Sequence, residues 1–169
     1  MQGLPHRYCA KGAAGITGDV ELTADRLPTL QSASPAEFGG PGDRWSPETL
    51  LVGAVADCFI LTFRAIAKAS RMSWISLDCD VTGTLDRVGR VMQFTRFDIK
   101  AHLSVADGVS VEAAQRALEK AERDCLISSS LKASIALEAT VEVAEPPGDA
   151  CCSTATRLTR QVAGTTGRP

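Results

Sequence analysis

Between Leu50 and Ala67 only Asp57 and Arg64 are charged, while Leu50, Leu51, Val52, Val55, Phe59, Ile60, Leu61, Phe63 and Ile66 cover most of a helical circumference. The segment opens as a helix should. Ser46 stands at the N-cap, Pro47 follows at the first helical position where its missing N–H costs nothing, and Glu48 sets a carboxylate in the positive first turn. A helix is predicted over 47 to about 70. With so wide an apolar surface it must be central and covered on most sides.

The flanking segments supply candidate covers. Ile16, Gly18, Val20 and Leu22 share one parity and predict a short strand, weakened by its glycine. Leu27 to Pro47 carries four prolines and the run Phe38-Gly39-Gly40-Pro41-Gly42-Asp43, a long irregular segment of the kind that often carries function. After the helix, Ile75, Leu77, Cys79, Val81 and Leu85 alternate with polar residues, and Asp86 to Arg90 reads as a turn. A second strand returns through Met92, Phe94, Phe97, Ile99, Ala101, Leu103 and Val105, with a parity slip at Thr95-Arg96 that predicts a bulge. Ser110 caps a second helix whose Ala114, Leu118, Ala121 and Cys125 face inward, and Ala133 to Val143 alternates as a last strand. The order predicts an α+β fold, antiparallel sheets around a long buried central helix, in one domain over 1–145, with 146–169 as a flexible C-terminal tail.

Composition removes several function classes. Eighteen basic and 20 acidic residues give a formal charge of -2, with no basic excess for nucleic acid. No apolar run approaches the roughly 18 residues of a membrane span, and Met1 to Lys11 lacks a signal peptide's apolar stretch, so no membrane partner and a cytoplasmic location are expected. The six cysteines, at 9, 58, 79, 125, 151 and 152, form no Cys-x-x-Cys, and His6 and His102 are not at ligand spacing, so no metal is expected. Without a glycine-rich dinucleotide fingerprint, a Walker sequence or a Gly-x-Ser-x-Gly elbow, no cofactor is expected, and thiol chemistry or no chemistry remains. Cys79 reads as core, His102 as solvated, and Cys9, Cys151 and Cys152 as incidental residues of the ends. Cys58 in mid-helix and Cys125 on an inward face could be reactive or simply small buried hydrophobes.

The stretches Trp45-Ser46-Pro47-Glu48-Thr49-Leu50-Leu51, Ala54-Val55-Ala56-Asp57-Cys58-Phe59 and Ala121-Glu122-Arg123-Asp124-Cys125-Leu126-Ile127-Ser128 together resemble the OsmC/Ohr family of thiol peroxidases. The resemblance covers roughly residues 8–143. It implies an intertwined homodimer that reduces organic hydroperoxides, with Cys58 as the peroxidatic cysteine, Cys125 as the resolving cysteine, Glu48 as an orienting carboxylate, and an external dithiol, a lipoyl group in the Ohr branch, as reductant. The chemistry suits these residue types: a thiolate attacks the peroxide, becomes a sulfenic acid, and must be captured by a second thiol before over-oxidation. Glu48 lies ten residues before Cys58, about 15 Å along one helix axis, so it can act only through a long arginine or from the partner subunit. The family's early arginine segment is replaced here by Gly12-Ala13-Ala14-Gly15, which leaves Arg44 as the first choice for the activating cation and Arg26 as the second. Apolar neighbours of Cys58, Phe59 and Phe63 among them, would favour alkyl or lipid hydroperoxides. Two rivals stay open: a binding module for a hydrophobic ligand in which both cysteines only pack, and a thiol redox sensor, which lacks an evident basic DNA-reading helix.

Overall fold

The computed structural model describes residues 3–144. The segment 146–169, with Cys151 and Cys152, lies outside the described residues. A small antiparallel meander comes first: β1 (Lys11–Ala13), β2 (Val20–Thr23) and β3 (Leu30–Ser32). The strand expected from Ile16 starts only at Val20. Gly18 adopts φ +94, which breaks the extended run, and Ile16 is left fully exposed in the connection. After a single 3-10 turn at Ala36–Phe38 the chain reaches the long helix.

That helix, α1 (Pro47–Ser70), begins and ends close to the predicted bounds. Ser46 Oγ accepts the Thr49 N–H at 3.2 Å, and Thr49 Oγ1 accepts the Ser46 N–H at 2.8 Å, a reciprocal cap that satisfies two otherwise orphaned donors. By length and composition α1 could cross a bilayer, with a mean hydropathy of 1.9 over its most apolar window. This departs from the expectation that no apolar run approaches a membrane span: Asp57 and Arg64 interrupt the sequence without much lowering its average hydropathy.

Two long strands, β4 (Trp74–Val88) and β5 (Val91–Val105), form an antiparallel hairpin, and Thr95 is the extra residue of the expected bulge: Thr84 pairs with Arg96 but Leu85 with Phe94. A register shift between Trp74 and Ser76 turns Trp74 inward onto Phe63, ring centroids 5.4 Å apart, and leaves Ile75, expected on the core face, exposed. Helix α2 (Val111–Arg123) and the one-turn α3 (Leu126–Ser129) lead to β6 (Ser134–Val143). Both sheets are antiparallel as expected except at this last strand. Because α2 carries the chain back across the sheet, β6 runs parallel to β5, Arg96 opposite Ser134 through Val105 opposite Val143.

The core lies between α1, α2 and the β4–β5–β6 sheet. Phe97, Ile99, Ala101, Leu103 and Val105 point into it at every second position, and Ala114, Ala117, Leu118 and Ala121 meet them from α2. From α1 only the stripe Val55, Phe59, Phe63 and Ala67 is fully buried. Within one chain the helix is therefore covered along one face, not on most sides as expected, and Leu61 on another face is 51% exposed. The reason is geometric: one three-stranded sheet and one amphipathic helix can contact little more than half of a helical cylinder.

Candidate active site

Fourth-turn spacing sets Cys58 beside the buried stripe of α1, where it is half-buried, three residues after Val55 and one before Phe59. Cys125 arrives from the other direction. The chain leaves α2 at Asp124, and Cys125 occupies the N-cap of α3, fully buried, its carbonyl accepting the Ser129 N–H at 3.0 Å and the Ser129 hydroxyl at 2.8 Å. This junction brings the two thiols close enough that each shifts the ionisation of the other. Both are free in this structure.

The two thiols are tuned in opposite directions. Burial pushes the Cys58 thiol up, but the neighbouring Ile127 N–H, Cys125 thiol, Thr62 hydroxyl and Leu126 N–H favour its charged form and together hold it below the ordinary thiol value. Burial pushes Cys125 up. The nearby Ser128 opposes this only in part, and the neighbouring Cys58 charge adds to the rise. The pair therefore favours a thiolate on Cys58 and a protonated, donating Cys125. Alkylation by iodoacetamide should report this directly: the rate–pH curve of Cys58 is expected to lie below that of an ordinary cysteine, and Cys125→Ala, which deletes one donor, should move it upward.

The donors around Cys58 were not read from the sequence. A one-turn helix leaves no periodicity, so the segment from Leu126 to Ser130 looked like connection. The available signal was the hydroxyl-rich Ser128-Ser129-Ser130 after a buried cysteine, a composition suited to a short helix turn. Thr62 was legible as the residue one turn after Cys58.

Cys58 opens into a cavity of about 610 Å³ whose apolar wall is Ala54, Leu61, Ala65, Leu126 and Ile127. Phe59 and Phe63, expected to shape the peroxide's surroundings, instead lie fully buried in the core, because they belong to the stripe facing the sheet. Cys79 packs against that core as expected, and burial, with help from the charges of Asp80 and Cys125, pushes its thiol up to about 11. Cys79→Ser should lower stability by about 1–3 kcal/mol in denaturant titrations, since it sets a hydroxyl in an apolar site, while the Cys58 alkylation curve stays in place. His102, half exposed, meets Glu142 at 3.1 Å on the outer sheet face, the solvated role expected of it.

The other chosen residues stand apart from the thiols within one chain. Glu48 lines a separate cavity of about 410 Å³ with Phe38, Val52, Leu85 and Phe94, and its Oε2 is buried there without a hydrogen-bond partner. Arg44 donates from Nε to Asp19 Oδ2 at 2.8 Å and lies 3.0 Å from Asp43, contacts that raise its pKa further. Arg26 is exposed at φ 60 and pairs with Asp25 at 3.2 Å. Among the described residues no cluster of His, Cys, Asp and Glu could hold a metal ion.

Comparison with known proteins agrees with this architecture. The family model for OsmC-like protein matches residues 40–140, which include α1 and both cysteines. YmaD of Bacillus subtilis, an uncharacterized protein, is 26% identical over 141 residues, covering 82% of this chain and 94% of that relative. An OsmC-like protein from Vibrio cholerae superposes with a TM-score of 0.73 at 14% identity, covering 80% of this chain and all of the other. An organic hydroperoxide resistance protein, OsmC, from Legionella pneumophila has a TM-score of 0.64 at 26% identity over 83% of this chain and all of its own. With the matched segment spanning the long helix, the hairpin and the thiol pair, the chain belongs to the OsmC-like protein family.

Proposed function

We propose that this protein is a homodimeric, cytoplasmic thiol peroxidase that reduces organic hydroperoxides at Cys58. The observation that carries the reading is the opposed tuning of two neighbouring thiols, one favoured as thiolate and one kept protonated near it. Likeness to organic hydroperoxide resistance proteins supports the same class of substrate. The Cys58 thiolate attacks the terminal peroxide oxygen, the O–O bond breaks, an alkoxide leaves and takes a proton from solvent, and Cys58 becomes a sulfenic acid. The N–H groups of Ile127 and Leu126, which stabilise negative charge at the sulfur before attack, remain to face the forming oxygen. The Cys125 thiol then attacks the sulfenic sulfur, releasing water as the disulfide forms, and an external dithiol, of which a lipoyl group is one, reopens it by exchange.

Dimerisation is part of the proposal. The meander of β1, β2 and β3 buries only Ser32 among its strand residues, and Leu61, Trp45 and Leu126 stand exposed along α1 and beside it. A second copy laid on this face would cover them. It would also bring Glu48 and Arg44 of the partner subunit toward Cys58, the route open to a carboxylate about 15 Å away on the same helix. Those residues would then orient the substrate and meet the charge of the leaving oxygen.

Stoichiometric cumene hydroperoxide is the test. It should consume both thiols per subunit and yield a Cys58–Cys125 disulfide in peptide maps. Unchanged thiols and unconsumed peroxide would favour a binding protein whose ligand occupies the apolar cavity beside Glu48.

A further inference from the structure

Among the described residues, two buried side-chain oxygens have no hydrogen-bond partner, Glu48 Oε2 and Ser128 Oγ. The second lies beside the thiol pair. Three serines follow Ile127, and two of them behave as helix serines do: Ser129 Oγ donates to the Cys125 carbonyl at 2.8 Å and Ser130 Oγ to the Leu126 carbonyl at 2.7 Å, four residues back in each case. Both of these serines are exposed. Ser128, only 6% exposed, leaves its hydroxyl unspent. A buried hydroxyl without a partner is unfavourable, so its presence points to an acceptor that exists at another stage of a reaction cycle. Cys125 supplies one. It is the N-cap of α3 and Ser128 the third residue of that turn, positions whose side chains reach toward each other, and Ser128 does weigh on the ionisation of Cys125. A thiol sulfur is a weak acceptor and leaves the hydroxyl unengaged, whereas a thiolate is a strong one. Both residues are buried by their own chain, so their surroundings are set before any second copy packs on Leu61.

We propose that Ser128 donates a hydrogen bond to the Cys125 sulfur whenever that sulfur carries charge in disulfide formation and cleavage. The assignment deepens the peroxidase reading above and rests on it for the identity of the reaction. In closure the Cys125 thiol gives up its proton, its sulfur bonds the Cys58 sulfur, and the S–O bond of the sulfenic acid breaks, the hydroxyl leaving with that proton as water. In reopening, an external dithiol can reach only the Cys58 sulfur, because Cys125 is fully buried. Its thiolate bonds Cys58, the S–S bond breaks and Cys125 leaves as a thiolate; the second thiol of the dithiol then releases Cys58, and the dithiol ends as a disulfide. Burial makes Cys125 a poor thiolate in both steps. One charge-assisted hydrogen bond from Ser128 lowers both barriers and leaves the first attack, by Cys58 on the peroxide, untouched.

Ser128→Ala is the test, first without peroxide. In a Cys58→Ser background the Cβ carbon resonance of Cys125 reads its titration directly, and Ser128→Ala should move the midpoint to higher pH. Ser129→Ala, which removes a hydroxyl bonded to a backbone carbonyl, should leave that midpoint in place. With Cys58 present, single-turnover mixing of Ser128→Ala with cumene hydroperoxide should show an unchanged first attack and disulfide closure about 10-fold slower, with more sulfenic acid trapped by a dimedone-type probe. The urea midpoint of Ser128→Ala should equal or exceed that of the unmutated protein, since an unpartnered hydroxyl is removed. A lower urea midpoint would show the hydroxyl already bonded in the resting protein and would overturn the proposal. So would an unmoved Cys125 titration, one moved equally by Ser129→Ala, or closure at the unmutated rate. Failure of the peroxidase reading looks different: the unmutated protein leaves peroxide unconsumed while the Ser128-dependent titration persists, which removes the peroxidase and leaves the donor to Cys125 standing.

Discussion

Cys58→Ser is expected to abolish hydroperoxide consumption, a loss of about 10³-fold or more, because a serine hydroxyl stays protonated where the thiol ionises. The groups from Ile127, Leu126 and Thr62 that lower the thiol below its ordinary value cannot ionise an alcohol, whose proton is held far more tightly. Cys125→Ser is expected to differ in kind. It should permit one turnover and leave a Cys58 sulfenic acid that a dimedone-type probe traps, since attack needs only the first thiol and closure needs the second. Rapid-mixing kinetics at single turnover distinguish the two. Equal loss in both variants would undo the division of roles.

Breaking the dimer is expected to have an effect of comparable size. Leu61→Arg puts a charge on the exposed face of α1, and the outcome should be dissociation with joint loss of secondary structure and peroxidase activity. Dilution of the native protein should do the same, with no active monomer between. Light scattering alongside activity measures both. A folded, fully active single chain at micromolar concentration would overturn the dimer, and would return Glu48 to the simpler role of a carboxylate at a helix N-terminus.

Much of this architecture follows from local rules. The cap at Ser46, the inward alternation of β5 from Phe97 to Val105, the bulge at Thr95 and the inward face of α2 were each legible, because each is set by a few neighbouring residues and a fixed period. Where the expectation failed, a single feature had shifted the phase. Gly18 at φ +94 ended a strand that parity alone would continue, and the register shift near Ser76 exchanged Trp74 for Ile75. The three-residue strands β1 and β3 are too short to show a period at all.

Periodicity and composition are properties of contiguous residues, and they were enough to mark the long apolar helix, the helix and strand order and the two cysteines worth watching. Packing in three dimensions added three things. It set β6 parallel to β5, because strand direction depends on where α2 delivers the chain. It confined full burial on α1 to one stripe, because coverage depends on what packs around the helix. Above all it made Cys58 and Cys125 unequal. Their ionisation is governed by N–H groups, hydroxyls and burial supplied from α3 and α1 at once, and the fields of groups converging through space have no linear signature.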